Sequence, residues 1–204
     1  VLADKIVDAI KTESNPDGLF LHPGSKQYQH LCFTGGEPLM VTGQAASMGI
    51  YKALKEKNNL PKSMTFETNG TQKLKEPFKQ WIKDIPEEIF FSVSPKLFTV
   101  SGEKTEKAIK PENVAEYTEC SDRGQLKFVV GSADREWDEM ESTVEKFRNA
   151  GVNWPVWIMP TGAREEELRL PVKWLRKHLR KATTWRPESM CIYSAMLLEH
   201  NEHD

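Results

Sequence analysis

Apolar residues along this chain recur at two periods. Leu2, Ile6, Val7 and Ile10 share one helical face, so residues 2–12 are predicted to form an amphipathic helix. A polar stretch through Asn15, Pro16, Gly18, Pro23 and Gly24 then reads as loop. From there short apolar or alternating runs recur at 29–33, 63–67, 89–94, 125–130 and 154–159, each with the size and composition of a strand. Helix-period segments at 44–57, 75–83, 111–119, 134–150 and 165–181 follow them, with Pro111 suited to a first helical turn and Gly151 to a stop. Strand and helix thus alternate as βα units, whose crossovers make neighbouring strands parallel. The pattern predicts an α/β fold, parallel strands covered by helices, in one domain over 1–204 without repeats or a linker.

Composition narrows the setting. The chain has 204 residues, 38% hydrophobic and 28% charged, with a formal net charge of -2, so no overall field draws in nucleic acid or an anionic membrane. No apolar run approaches the ~20 residues of a membrane span, those near Cys191 to Leu198 being strand-sized, and the first residues lack a signal pattern. Three cysteines, Cys32, Cys120 and Cys191, lie too far apart for a CxxC pair and leave one thiol over in any disulfide scheme. A reducing, cytoplasmic location is the expectation. Val1 opens directly into a helical pattern, so an upstream part is expected to be missing.

In parallel α/β sheets ligands collect at the carboxyl ends of strands, which directs attention to the residues that follow each run. After the first come Thr34, Gly35, Gly36, Glu37 and Pro38; after the second, Glu67, Thr68, Asn69 and Gly70; after the third, Ser94, Pro95 and Lys96; after the fourth or fifth, Met159, Pro160, Thr161 and Gly162. Paired glycines admit positive φ and let backbone meet a ligand directly. Glu37 offers charge-assisted bonds to an ammonium, and Ser94 and Lys96 suit a carboxylate or ribose. Glu67 and Asn69 present the acceptors and donors that a fused heterocycle needs. Each piece alone is an ordinary turn or loop; their order along one rim is what suggests a site.

The stretches "FTGGEPLM", "FETNGT", "FSVSPK", "LKFVV" and "IMPTG" resemble, in the same order and at similar spacing, the radical S-adenosylmethionine enzyme 7-carboxy-7-deazaguanine synthase of the queuosine pathway. The resemblance covers roughly residues 28 to 162. It implies a partial (β/α) barrel that binds S-adenosylmethionine across its open end, with Gly35, Gly36, Glu37, Ser94, Pro95, Lys96, Met159, Pro160 and Thr161 around the cofactor. Gly36 would allow close backbone approach and Glu37 would receive the methionine ammonium. Thr34, Glu67 and Asn69 would face a pterin-like substrate. Lys127, set in an apolar strand where an ammonium needs a partner, joins them. The implied reaction is cleavage of S-adenosylmethionine by a reduced 4Fe-4S cluster to a 5'-deoxyadenosyl radical, which abstracts hydrogen from 6-carboxy-5,6,7,8-tetrahydropterin. Ring contraction with loss of ammonia then gives 7-carboxy-7-deazaguanine, with magnesium assisting. An electron donor such as flavodoxin and a homodimer are the expected partners.

Three departures accompany the resemblance. The family's C-x-x-x-C-x-x-C loop has no counterpart, so the cluster ligands are expected upstream of residue 1 and no metal ligand is assigned within the chain. Met159 stands where the synthases commonly carry glutamine. The ending "MLLEHNEHD" differs from the usual histidine-containing one, and His200 and His203 read as a polar tail. Cys32 is expected inside a strand as a small apolar residue. Trp137, Trp154, Trp157 and Trp174 read as core or helix-packing residues, and "REEELR" at 164–169 as a charged helix start. Two alternatives stay open: another radical S-adenosylmethionine enzyme, such as a glycyl-radical activase, or a non-catalytic nucleotide-binding remnant.

Overall fold

The computed structural model describes residues 2–162, residue 173 and the strand at 190–192. Its elements run α1 (Leu2–Ala9), β1 (Leu31–Phe33), α2 (Val41–Glu56), β2 (Ser63–Thr68), α3 (Glu76–Asp84) and β3 (Glu88–Val93). They continue as α4 (Phe98–Ser101), α5 (Thr105–Ala108), α6 (Pro111–Thr118), β4 (Gly124–Val130), α7 (Asp134–Asn149), β5 (Val156–Pro160) and β6 (Met190–Ile192). All six strands join one sheet in the order β1-β2-β3-β4-β5-β6, and every adjacent pair is parallel.

That monotonic order decides the architecture. Right-handed crossovers that always step the same way place every helix on one face, so the sheet curls with helices outside and a concave face inside. The register shows which residues go where. Met64, Phe66 and Thr68 stand beside Ile89, Phe91 and Val93, then Leu126, Phe128 and Val130, then Val156, Ile158 and Pro160. All of these are buried. Against them pack Phe78 and Ile82 of α3, Val114 and Tyr117 of α6, and Met140, Val144 and Phe147 of α7. Aromatic contacts tie the layers: Phe66 meets Phe78 edge-on at 5.4 Å, and Phe91 stacks on Tyr117 at 5.1 Å. The intervening positions, Thr65, Glu67, Phe90, Ser92, Gln125, Lys127, Val129, Trp157 and Met159, share the concave face, and of these only Ser92 is fully buried.

Most predicted elements are present, with shifted ends. The first helix stops at Ala9 because Thr12 and Asn15 pair across a turn, and Asn15 is buried with its side chain bonded to the Leu19 N–H and C=O. α2 starts three residues before the predicted 44, at Val41. The helices α4 and α5 escape a periodicity search because each is one turn long, and the 165–181 helix lies outside the described residues except for Lys173. Trp174, the 164–169 run and the tail histidines also fall outside them. Trp137 and Trp154 are core residues, as predicted. Cys32 is a correction: β1 is an edge strand and Cys32 points to its open concave side, where the thiol is exposed. Among the described residues no helix is long and apolar enough to cross a membrane.

Candidate functional site

The carboxyl ends of β1 to β3 and the middle of β4 converge on a cleft of about 250 Å³. From the turn after β1 come Thr34, Gly36 and Glu37; β2 and its exit contribute Glu67, Thr68 and Asn69. The β3 end gives Ser92, Ser94 and Lys96, and β4 gives Lys127. Two carboxylates and two ammonium groups thus share a small space with hydroxyls, which complements a zwitterion better than an ion of either sign.

The turn after β1 is open toward the cleft. Gly35 and Gly36 hold φ of 88° and 59°, and a Cβ built on either meets no atom within 4 Å. Space rather than packing therefore surrounds Gly36, as a backbone contact to a ligand requires.

Glu37 has a different primary task from the one its charge suggests. Its Oε1 accepts the Thr68 hydroxyl at 2.6 Å and the Leu39 N–H at 3.1 Å, while Oε2 accepts the Asn69 N–H at 2.8 Å. The carboxylate is a strut between the β1 and β2 exits, and one acceptor direction on Oε2 remains for a ligand ammonium. Thr68 extends the strut, since its Oγ1 also accepts the Gly70 N–H at 3.1 Å. From the outer side α6 completes the support: Asn113 donates to the Thr71 carbonyl at 2.7 Å and the Tyr117 hydroxyl donates to the Gln72 carbonyl. Burial, then the Glu37 charge, pushes the Tyr117 phenol well above its usual range, so it stays a proton donor.

Asn69 is half committed in the same way. Its Oδ1 accepts the Thr71 N–H at 2.9 Å and the Thr71 hydroxyl at 2.7 Å, so the side chain offers a ligand donors rather than the mixed set expected. Glu67 is the opposite case. It stands exposed with two long contacts, Lys127 Nζ at 3.5 Å and the Thr34 hydroxyl at 3.4 Å, which a ligand can displace at little cost. Lys127 therefore has the partner that its place in an apolar strand demanded. Lys96 is exposed and, among the described residues, has no carboxylate partner.

The remaining predicted residues stand back from this cleft. Gly35 adjoins it without lining it, Pro95 and Pro160 are buried, and Met159 lies half-buried on the concave face of β5. Thr161 is exposed, with its N–H bonded to the Val130 carbonyl at 2.9 Å. Thr68 and Ser92 line the cleft without having been singled out. Ser92 was within reach of the sequence, because its register opposite Glu67 puts it on the concave face.

The fit of the implied cofactors divides. For S-adenosylmethionine the open positive-φ glycine, the mixed charges and the donors of Asn69, Ser94 and Lys96 fit. For a 4Fe-4S cluster they do not: Cys32 is on the β1 edge and Cys120 follows α6. Among the described residues no group of three His, Cys, Asp or Glu side chains comes together to hold a metal ion. Magnesium likewise gains no assigned ligand.

No protein-family model matches the sequence, and no curated protein matches it. Among solved structures the fold is similar to Streptococcus suis SuiB bound to S-adenosylmethionine, with a TM-score of 0.51, 14% identity and 82% of this chain covered. A second SuiB structure gives a TM-score of 0.52 at 12% identity. This chain spans 39% of the length of each of these structures. At such identity the likeness is one of fold: an α/β partial barrel, parallel strands inside and helices outside.

Proposed function

We propose that the cleft binds S-adenosylmethionine and a pterin-like substrate, as part of a radical S-adenosylmethionine lyase. The reaction is conversion of 6-carboxy-5,6,7,8-tetrahydropterin to 7-carboxy-7-deazaguanine with loss of ammonia. The observation that carries the reading is the convergence, in one small cleft, of Thr34, Gly36, Glu37, Glu67, Asn69, Ser94, Lys96 and Lys127. These residues come from the very segments whose order resembles the synthases. The solved SuiB structure with S-adenosylmethionine adds support through its fold.

In this reading Gly36 offers its backbone to the methionine end and the spare acceptor of Glu37 takes the ammonium. Lys96 and Ser94 take the carboxylate or ribose. Glu67, released from its long contact with Lys127, accepts the N–H groups of the heterocycle, and the freed Lys127 ammonium turns to the substrate carboxylate or ring carbonyl. When bound, S-adenosylmethionine supplies the hydrogen-abstracting chemistry of this enzyme type; the residues described here bind, orient and exclude water.

The test is two titrations and one product assay. The chain should bind S-adenosylmethionine, and Glu67→Ala should weaken the carboxytetrahydropterin by about tenfold or more while leaving S-adenosylmethionine nearly unaffected. Joined to a cluster-binding segment, the chain should form 7-carboxy-7-deazaguanine, read by mass spectrometry. Binding of S-adenosylmethionine without the pterin would favour another enzyme of this type, and binding of both without product would favour the non-catalytic reading.

A further inference from the structure

Lys96 reaches the cleft from an unusual piece of chain. It lies between two buried residues, Pro95 and Leu97, and the backbone then turns at once into α4, a helix of four residues. So short a helix has little stability of its own, because nucleation fixes several residues for one or two hydrogen bonds. Its own N-cap, Leu97, has no side chain able to accept a bond from the first N–H groups. The missing acceptor comes from α7. Glu139 Oε1 accepts the Phe98 N–H at 2.8 Å, and Oε2 accepts the Thr99 N–H at 2.8 Å and the Thr99 hydroxyl at 2.6 Å.

We propose that Glu139 is a positioning residue for the cleft: by capping α4 from α7 it fixes the turn that holds Lys96 over the ligand. The geometry is that of an N-cap supplied from another element, a carboxylate satisfying two exposed N–H groups and the positive end of a helical turn. The other end of the turn is closed by Gly102, at φ 73°, whose N–H bonds to the Phe98 carbonyl at 2.8 Å. With both ends held, residues 97–102 form a rigid bracket just beyond Lys96. Without Glu139, two N–H groups and a hydroxyl lose their acceptor, the bracket opens toward water, and the lysine ranges over a wider volume. The effect on ligand binding is the ordering of a long side chain that is no longer prearranged.

The ligand half of this inference rests on the S-adenosylmethionine reading, so the experiment has an arm that needs no ligand. Lysines are reductively methylated with carbon-13, and the Lys96 signal is assigned from its loss in Lys96→Arg. Glu139→Ala should shift and sharpen the Lys96 signal, and Glu139→Gln, which keeps an acceptor oxygen, should restore most of it. In calorimetric titration, Glu139→Ala should weaken S-adenosylmethionine by about three- to tenfold in the wild-type background and by less than about twofold when Lys96 is already alanine. A purely structural role would give the same loss in both backgrounds and would overturn the proposal. So would an unchanged Lys96 signal, which would mean that Pro95 and Leu97 suffice. Failure of the wild-type chain to bind S-adenosylmethionine would instead overturn the cofactor reading, and the Lys96 signal would still decide the role of Glu139.

Discussion

A glutamine at position 37 keeps the shape of the glutamate and loses its fit. Glu37 accepts from two N–H groups and a hydroxyl, so an amide there turns its NH2 toward at least one donor. Glu37→Gln should therefore destabilise the ligand-free chain by about 1–3 kcal/mol, measured as a lower urea midpoint at constant m. An unchanged midpoint would return Glu37 to the role of a free ammonium receptor. This is also where the sequence fell short. It marked Glu37 as a site residue from its charge and its glycines, yet its partners Thr68 and Asn69 lie 31 and 32 residues away and no local pattern names them. The placement of Glu67 was legible, because an acid on the polar alternation of a strand has to face the open side. A second residue-scale prediction concerns His30, whose ring nitrogens bond the Ser63 and Thr65 hydroxyls at 2.8 and 2.7 Å. Desolvation lowers its pKa below the usual value, so the fold favours the neutral ring. The sign follows: stability is full above about pH 6.5, where the unfolded ring is also neutral, and declines as pH falls toward the folded pKa. His30→Gln should flatten the fall in Tm between pH 7.5 and 5.5, and an identical slope would mean that His30 titrates as if unfolded.

Among the elements, α2 carries two glycines that respond oppositely to one methyl group. Gly49 has no atom within 4 Å of an added Cβ, so Gly49→Ala should stabilise by about 0.5–1 kcal/mol through helix propensity. At Gly43 the added Cβ would sit 2.2 Å from the Pro38 carbonyl oxygen, backbone that cannot step aside. The clash outweighs the propensity gain, and Gly43→Ala should destabilise by about 1–3 kcal/mol and disturb the turn carrying Glu37. Thermal melts of the two variants should move in opposite directions; stabilisation of both would show that α2 does not press on Pro38. The start of α2 was misplaced because Val41 to Gly43 put no residue on the buried stripe of Gln44, Ser47, Tyr51 and Leu54. The α4 turn was unreadable, since its cap is 40 residues away in sequence. The strands were readable because their outward positions are apolar without exception from Met64 to Ile158, apart from Thr68, and the helices α3, α6 and α7 because each buries a single stripe.

At the scale of the described residues, sequential parallel strands give a sheet whose crossover helices lie outside, leaving a concave face that those helices do not cover. A cleft on the concave side follows from that curl, and its charge comes from Glu37 and Lys96 after β1 and β3 and from Glu67 and Lys127 within β2 and β4. The decisive measurement is calorimetric titration of the chain with S-adenosylmethionine, without reductant, in parallel with Gly36→Ala. At φ 59° the alanine strains the backbone by about 1–2 kcal/mol, which the fold should survive, while its methyl enters the open space beside the cleft. One molecule should bind per wild-type chain, and Gly36→Ala, folded by circular dichroism, should bind at least about tenfold more weakly. No heat of binding in the wild type, or equal affinity in both proteins, would contradict the assignment of this cleft to S-adenosylmethionine.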